Sequence, residues 1–138
     1  MRRLFAVLAL ASLVACSENS TTAPVTVNLI GTWRLQTVNG SPLTYTQTTA
    51  NGTLEVFSGA IVIDESGNFT TTLSQRLTAT NGSSSILVVT TYGTVEISGP
   101  NIVFHRTDIA NDPGTTAELT ATTISLTQNG LVLVFAKT

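Results

Sequence analysis

The residues able to do chemistry are few. The chain carries one histidine, His105, one cysteine, Cys16, and eight acidic residues among 138. A nucleophilic triad would need His105 held against a carboxylate such as Asp108, with a serine within reach and a buried setting to orient the imidazole. Strand alternation instead sends His105 to the face opposite Ile102, Phe104 and Arg106, toward solvent. One histidine and one cysteine do not make a zinc site. Asp64-Glu65-Ser66-Gly67-Asn68 offers oxygens but lacks the calcium loop's length and its terminal glutamate, and reads as a hairpin turn. The glycines sit singly in turns and open no helix, so no phosphate cradle is expected. These residues point to no enzyme, no metal and no cofactor.

The one chemically distinctive position is Cys16. Met1-Arg2-Arg3 supplies a positive start and Leu4 to Ala15 an apolar run. That run is shorter than the roughly 20 residues a spanning helix needs. It fits a signal-peptide core of about 7–15 residues. The run ends Leu13-Val14-Ala15-Cys16, which resembles the lipobox of bacterial lipoproteins. The resemblance implies a diacylglycerol thioether on Cys16, cleavage just before it, and often acylation of the new amine. An ordinary secretory cleavage site followed by a chance cysteine, or a buried helix of the fold, are the competing readings. A sole cysteine can form no intramolecular disulfide, and lipidation removes the free thiol.

Two or three acyl chains anchor firmly, at about 0.8 kcal/mol per buried methylene. The implied location is the cell envelope, with the lipid on Cys16 as the membrane partner. Ser17, following the cysteine, resembles an outer-membrane sorting signal if the cell is Gram-negative. Residues 1–15 are then a signal peptide and 16–28 a lipidated cysteine with a polar tether, Ser17 to Pro24 being its clearest part. Such a tether spans on the order of 20 Å.

Residues 29–138 must form the folded domain. Without Arg2 and Arg3 the basic residues are Arg34, Arg76, Arg106 and Lys137 against eight acidic ones, a net charge of −4. None of the basic residues cluster, which excludes a nucleic-acid footprint and a basic membrane patch. Threonine, valine, isoleucine and glycine dominate, and apolar residues recur with period two. Trp33, Leu35 and Thr37 alternate with Arg34 and Gln36. Leu54, Val56, Ile61 and Ile63 follow, with Gly59 as an expected bend or bulge. Phe69, Thr71, Leu73, Gln75 and Leu77 form one face of the next strand. Asn39-Gly40 and Gln128-Asn129-Gly130 are tight-turn sequences.

Eight to ten short strands of this kind predict an all-β fold: a small up-and-down antiparallel barrel, with a two-sheet sandwich as the alternative. The last strand, Leu131 to Phe135, is apolar on both faces and would be a sticky edge unless paired. Pairing it with the Trp33 strand would remove both edges.

Gly31-Thr32-Trp33 opening the first strand, with Val38-Asn39-Gly40 ending it, resembles the lipocalin-like lipoproteins of bacteria and the calycin barrels generally. The resemblance implies a barrel whose tryptophan closes the base beneath a basic side chain from a late strand, Arg106 or Lys137 here. It also implies an interior that takes a small apolar ligand. The expected inward set includes Ile86, Val88, Tyr92 and Ile97 as well as the core residues above. The candidate ligand contacts are Trp33, Leu35, Phe69, Leu73, Gln75, Tyr92 and Phe104. Tyr45 and Tyr92 are expected to rim an opening, with Thr44 to Gly52 as a lid.

Two functional expectations stand side by side. One is a non-catalytic envelope lipoprotein that binds a small hydrophobic molecule. The other has a packed core and no ligand, and meets an envelope protein partner through its loops or its threonine-rich outer face at Thr70, Thr72 and Thr78. An eight-stranded barrel can fill itself or hold one small ligand, so pattern alone leaves both open.

Overall fold

A computed structural model describes residues 27–138. The expected signal peptide, Cys16 and the expected tether up to residue 26 lie outside the described residues. The strands are β1 (Gly31–Val38), β2 (Ser41–Pro42), β3 (Tyr45–Thr49), β4 (Gly52–Ile63) and β5 (Asn68–Ala79). They continue with β6 (Ser84–Ser98), β7 (Asn101–Arg106), β8 (Thr115–Leu119), β9 (Thr123–Gln128) and β10 (Leu131–Lys137).

From β4 onward every strand pairs antiparallel with the next. The ring closes because β1 pairs with β10 on one side and with β4 on the other. The result is a closed eight-stranded up-and-down barrel, consistent with a calycin-like fold and not a two-sheet sandwich. Short β2 and β3 are attached to the outer ends of β1 and β4. The apolar last strand is paired on both sides, as edge chemistry requires.

Local sequence explains the connections. Asn39-Gly40 and Asn129-Gly130 both take positive φ at both positions, the geometry of a tight hairpin turn with right-handed strand twist. In the β4–β5 turn, Asp64 Oδ1 accepts the backbone N–H groups of Ser66 and Asn68 at 2.8 and 2.9 Å, and Oδ2 accepts Asn68 Nδ2 at 3.0 Å. This oxygen cluster is turn chemistry, as its sequence implied.

Two bulges reset the alternation. In β1 the register shifts between Leu35 and Thr37, so Val38 rather than Thr37 joins Trp33 and Leu35 inside. In β4 the shift falls between Val56 and Ser58, placing the extra residue at Phe57 and not at Gly59. Gly59 has a different task. A Cβ there would lie 3.1 Å from the Leu35 side chain and 3.2 Å from that of Leu73, so its absence makes room for these two leucines from the strands on either side of β4.

The base is sealed. Trp33, Ile61, Ile63, Ile102, Ile124 and Phe135 are essentially without solvent exposure. Phe69 and Phe104 meet edge to face, centroids 5.0 Å apart. Burying side chains of this size contributes roughly 1.5–3 kcal/mol each. The chain enters across this base: Leu29 is buried and its carbonyl accepts Trp33 Nε1–H at 2.9 Å. Lys137 lies over the Trp33 ring, Nζ 5.4 Å from the centroid, and donates to the Asn28 carbonyl. The basic partner of the tryptophan is therefore Lys137, while Arg106 lies at the far end of β7.

Strands β5 and β6 are longer than the short strands expected, and they overhang the barrel body. Leu77 and Ile97, both expected inside, are 46% and 56% exposed: Leu77 stands at the mouth end of β5, and Ile97 lies at the other end of β6, past the point where β5 flanks it. The expected inward positions Ile86, Val88 and Tyr92 are corrected outright. Because Phe69 pairs with Gly93 and Leu73 with Val89, the inner row of β6 is Leu87, Val89, Thr91, Gly93 and Val95. The expectation placed both Tyr92 and Val95 inside, which needs a bulge between them, and β6 runs through without one.

Candidate functional site

The end of the barrel opposite Trp33 is open. On one side stand the upper halves of β4, β5 and β6, extended by β3; on the other stands the β9–β10 hairpin tip. Between them lies a cavity of about 340 Å³. Leu54, Leu73, Val89, Leu131 and Leu133 supply its apolar surface, and Gln47, Thr49, Thr71, Gln75, Thr91, Gln128 and Asn129 its polar groups. A recess of about 100 Å³ continues from the shared residues Thr71, Thr91 and Gln128 toward Phe104, Arg106, Thr115 and Leu126.

The volume is at the low end of the roughly 300–1,000 Å³ typical of small-molecule sites. The mouth exists because the inward rows change composition along each strand. On β5 the row passes from buried Phe69 to half-buried Thr71, Leu73 and Gln75. On β6 it passes from Val95 and Gly93 to Thr91 and Val89. Short threonines in place of isoleucine or phenylalanine leave room, and the Leu35–Gly59–Leu73 contact forms the floor.

The mouth's electrostatics are nearly neutral. Its one charged lining residue, Arg106, is engaged by Asp108: Nε donates to Oδ1 at 3.0 Å and Nη2 to Oδ2 at 2.5 Å. This bidentate contact holds the Asp108 carboxyl below its usual range and raises the guanidinium, each mainly through the hydrogen bonds they share. The loop after β7 is tied back by Asp112, whose Oδ2 accepts the Arg106 N–H at 2.5 Å.

No protein-family profile matches the chain, and no curated protein matches it. The site is read from its own geometry.

The seven expected contacts separate into three groups. Leu73 and Gln75 line the mouth and Phe104 the recess. Trp33, Leu35 and Phe69 are buried at 0–4% exposure and line neither the mouth nor the recess. Tyr92 stands on the outer surface, 55% exposed. Tyr45 is partly buried against the core, its hydroxyl accepting Asn39 Nδ2 at 3.1 Å. The stretch expected as a lid is largely strand β3, and its Gln47 and Thr49 line the wall. Val89, Thr91, Gln128, Asn129 and Leu131 were missed. The first two follow from counting back in twos from Val95; the other three required knowing that the β9–β10 turn faces β5 across the barrel.

His105 is on the outer face, Nε2 3.6 Å from Glu96 Oε2, and Asp108 is occupied by Arg106. The His105–Asp108 pair that a triad would need is not formed. Among the described residues no group of three or more His, Cys, Asp or Glu is arranged to hold a metal ion.

Proposed function

We propose that this chain is a lipid-anchored envelope lipoprotein of lipocalin-like type, whose barrel mouth binds a small, uncharged, mainly apolar molecule without chemical conversion. The observation that carries the ligand reading is the contrast within the barrel: a sealed base beneath a roomy mouth with leucine and valine walls and amide and hydroxyl groups placed among them. Apolar walls supply affinity and a few polar groups fix orientation. The Arg106 charge is already compensated, so a neutral ligand fits better than an anion. The anchor rests on the lipobox resemblance at Cys16, and Cys16→Ser is expected to release the protein from membranes into the soluble fraction.

Native mass spectrometry of the protein, purified gently from an envelope extract, tests the ligand reading. The expected result is a reproducible added mass that is lost on denaturation. The bare protein mass, unchanged after incubation with a mixed pool of lipids and small apolar molecules, would refute it. A protein-interaction role has its own support in the exposed apolar half of β6, outside the mouth.

A further inference from the structure

Strand β6 has a strand on both sides only at Gly93 and Thr94. Gly93 to Ser98 pair with β7, whereas Ser84 to Tyr92 have β5 on one side and, among the described residues, no strand on the other. A Cβ at Gly93 would lie 1.8 Å from the His105 carbonyl oxygen, so this glycine marks the last point where β6 and β7 press together. Beyond it only Thr107 reaches across, its N–H donating to the Tyr92 carbonyl at 3.3 Å.

That bond fixes the direction of the free groups. Tyr92 turns its carbonyl away from β5, while Val95 N–H turns toward the β5 side and donates to Gly67. By alternation, the N–H and C=O groups of Thr90, Val88 and Ile86 point out of the sheet's edge. Around them the side chains are apolar and exposed on both faces: Ile86 62%, Leu87 52% and Val88 56%.

The edge carries none of the usual protection. Ser84-Ser85-Ile86-Leu87-Val88-Val89-Thr90-Thr91-Tyr92 has no charge, no proline, no glycine and no bulge. The nearest charge along the sheet, Arg76 opposite Ile86, is paired with Glu55 at 2.9 Å. An edge of this kind is a template for an added strand, with main-chain hydrogen bonds giving affinity and alternate side chains giving specificity.

We propose that β6 pairs antiparallel with β6 of a second copy of this chain, about a two-fold axis at Leu87 or Val88. The strand is its own complement. With the axis on Val88, that residue faces itself, Leu87 faces Val89 and Ile86 faces Thr90. With the axis on Leu87, Ile86 faces Val88. Both registers put edge-pointing backbone against edge-pointing backbone, set apolar against apolar at the centre of the contact, and bring no like charges together. Such an isologous contact closes as a dimer.

The other free edge, β3, offers Thr46, Gln47, Thr48 and Thr49. Pairing β6 to that edge would set leucine and valine against polar residues and would propagate as an open chain. In the dimer the sheet β3-β4-β5-β6 continues into its copy, so two mouths share one wall.

The test is sedimentation of the full chain in mild detergent over a dilution series, with a photo-reactive residue in place of Val88 in a parallel sample. The expected results are a monomer–dimer equilibrium and a cross-link of the 84–92 segment to itself. Val88→Pro removes an edge-pointing N–H without removing a bond to β5, and Ile86→Lys sets a charge on the contact. Both are expected to weaken self-association by about tenfold or more with the thermal midpoint nearly unchanged, whereas Thr46→Lys on β3 leaves it intact. A wild-type monomer at every concentration would overturn the proposal. So would a dimer that survives in folded Ile86→Lys, or a cross-link from position 88 to β3 or to a different protein.

Discussion

At the base of the barrel the inward rows end in Trp33, Ile61, Ile63, Ile102, Ile124 and Phe135, and no solvent enters. Toward the other end, the inward rows of β5, β6 and β9 read Thr71, Gln75, Thr91 and Gln128, and they border a cavity. Both halves obey one alternation. What separates them is side-chain volume and strand length: the base is crossed by large side chains and capped by the entering chain at Leu29, while β4, β5 and β6 run on together past β1 and β7 at the mouth. Closure of the backbone and filling of the interior are thus separate properties, and this molecule has the first throughout and the second at one end.

The sharpest way to break the contrast is at the tryptophan. Trp33→Ala is expected to cost about 3–5 kcal/mol of unfolding free energy, because the cavity it leaves cannot collapse against a closed ring. Denaturant unfolding measures this; a loss near 1 kcal/mol would mean that the base is not the stabilising half.

Lys137→Met comes next. It keeps an apolar stem over Trp33 but removes the cation above the ring and the contact to Asn28, for a loss of about 0.5–2 kcal/mol. An unchanged unfolding midpoint would show that the lysine covers the base through its methylenes alone.

A smaller effect lies in the base turn. Hydrogen bonds to the Asp64 carboxylate, the Asn68 side chain first and then the Asn68 and Ser66 backbone, hold its pKa below the usual value. A depressed carboxyl stabilises the fold above its unfolded pKa, and that contribution is lost as pH falls below about 4 through the lower folded value. Asp64→Asn keeps one acceptor oxygen for the Ser66 and Asn68 N–H groups but loses the one that accepts Asn68 Nδ2, so its thermal melts should lie lower by a constant offset and differ from wild type in slope against pH only in this acid range. A difference confined to neutral pH would contradict the assignment.

The smallest stability change is expected where the ligand effect should be largest. Gln75→Leu in the mouth wall should shift stability by no more than about 0.5 kcal/mol, since Gln75 is only half-buried and borders the cavity. It should nonetheless strengthen uptake of an apolar fluorescent probe. If the probe binds equally to both proteins, it is not entering the mouth.

Much of this was legible in the residues. Period-two runs bounded by Asn-Gly turns and the Asp64 turn gave the strands, and Gly31-Thr32-Trp33 marked the base with a basic partner to come. Leu73, Gln75 and Phe104 were found as cavity residues because their strands carry an unbroken alternation from a securely inward phenylalanine. Tyr92 was misplaced for the opposite reason. An apolar run such as Ile86 to Val89 has no polar face to define its phase, and an aromatic residue drew the alternation the wrong way. The phase was fixed by Gly93 lying opposite Phe69.

By itself the sequence determined where the chain extends and where it turns, because those follow from neighbouring residues: β-branched side chains, alternating polarity, and the positive-φ tolerance of Asn39-Gly40 and Asn129-Gly130. The tertiary structure alone decided which face is inside at Val38 and Tyr92, where the bulges at Gln36 and Phe57 fall, and that β1 bridges β10 and β4. It also decided that half of β6 pairs on one side only, among the described residues. Those are matters of register between residues far apart in the chain. Period two names two faces, and only pairing with another strand says which of them the barrel encloses.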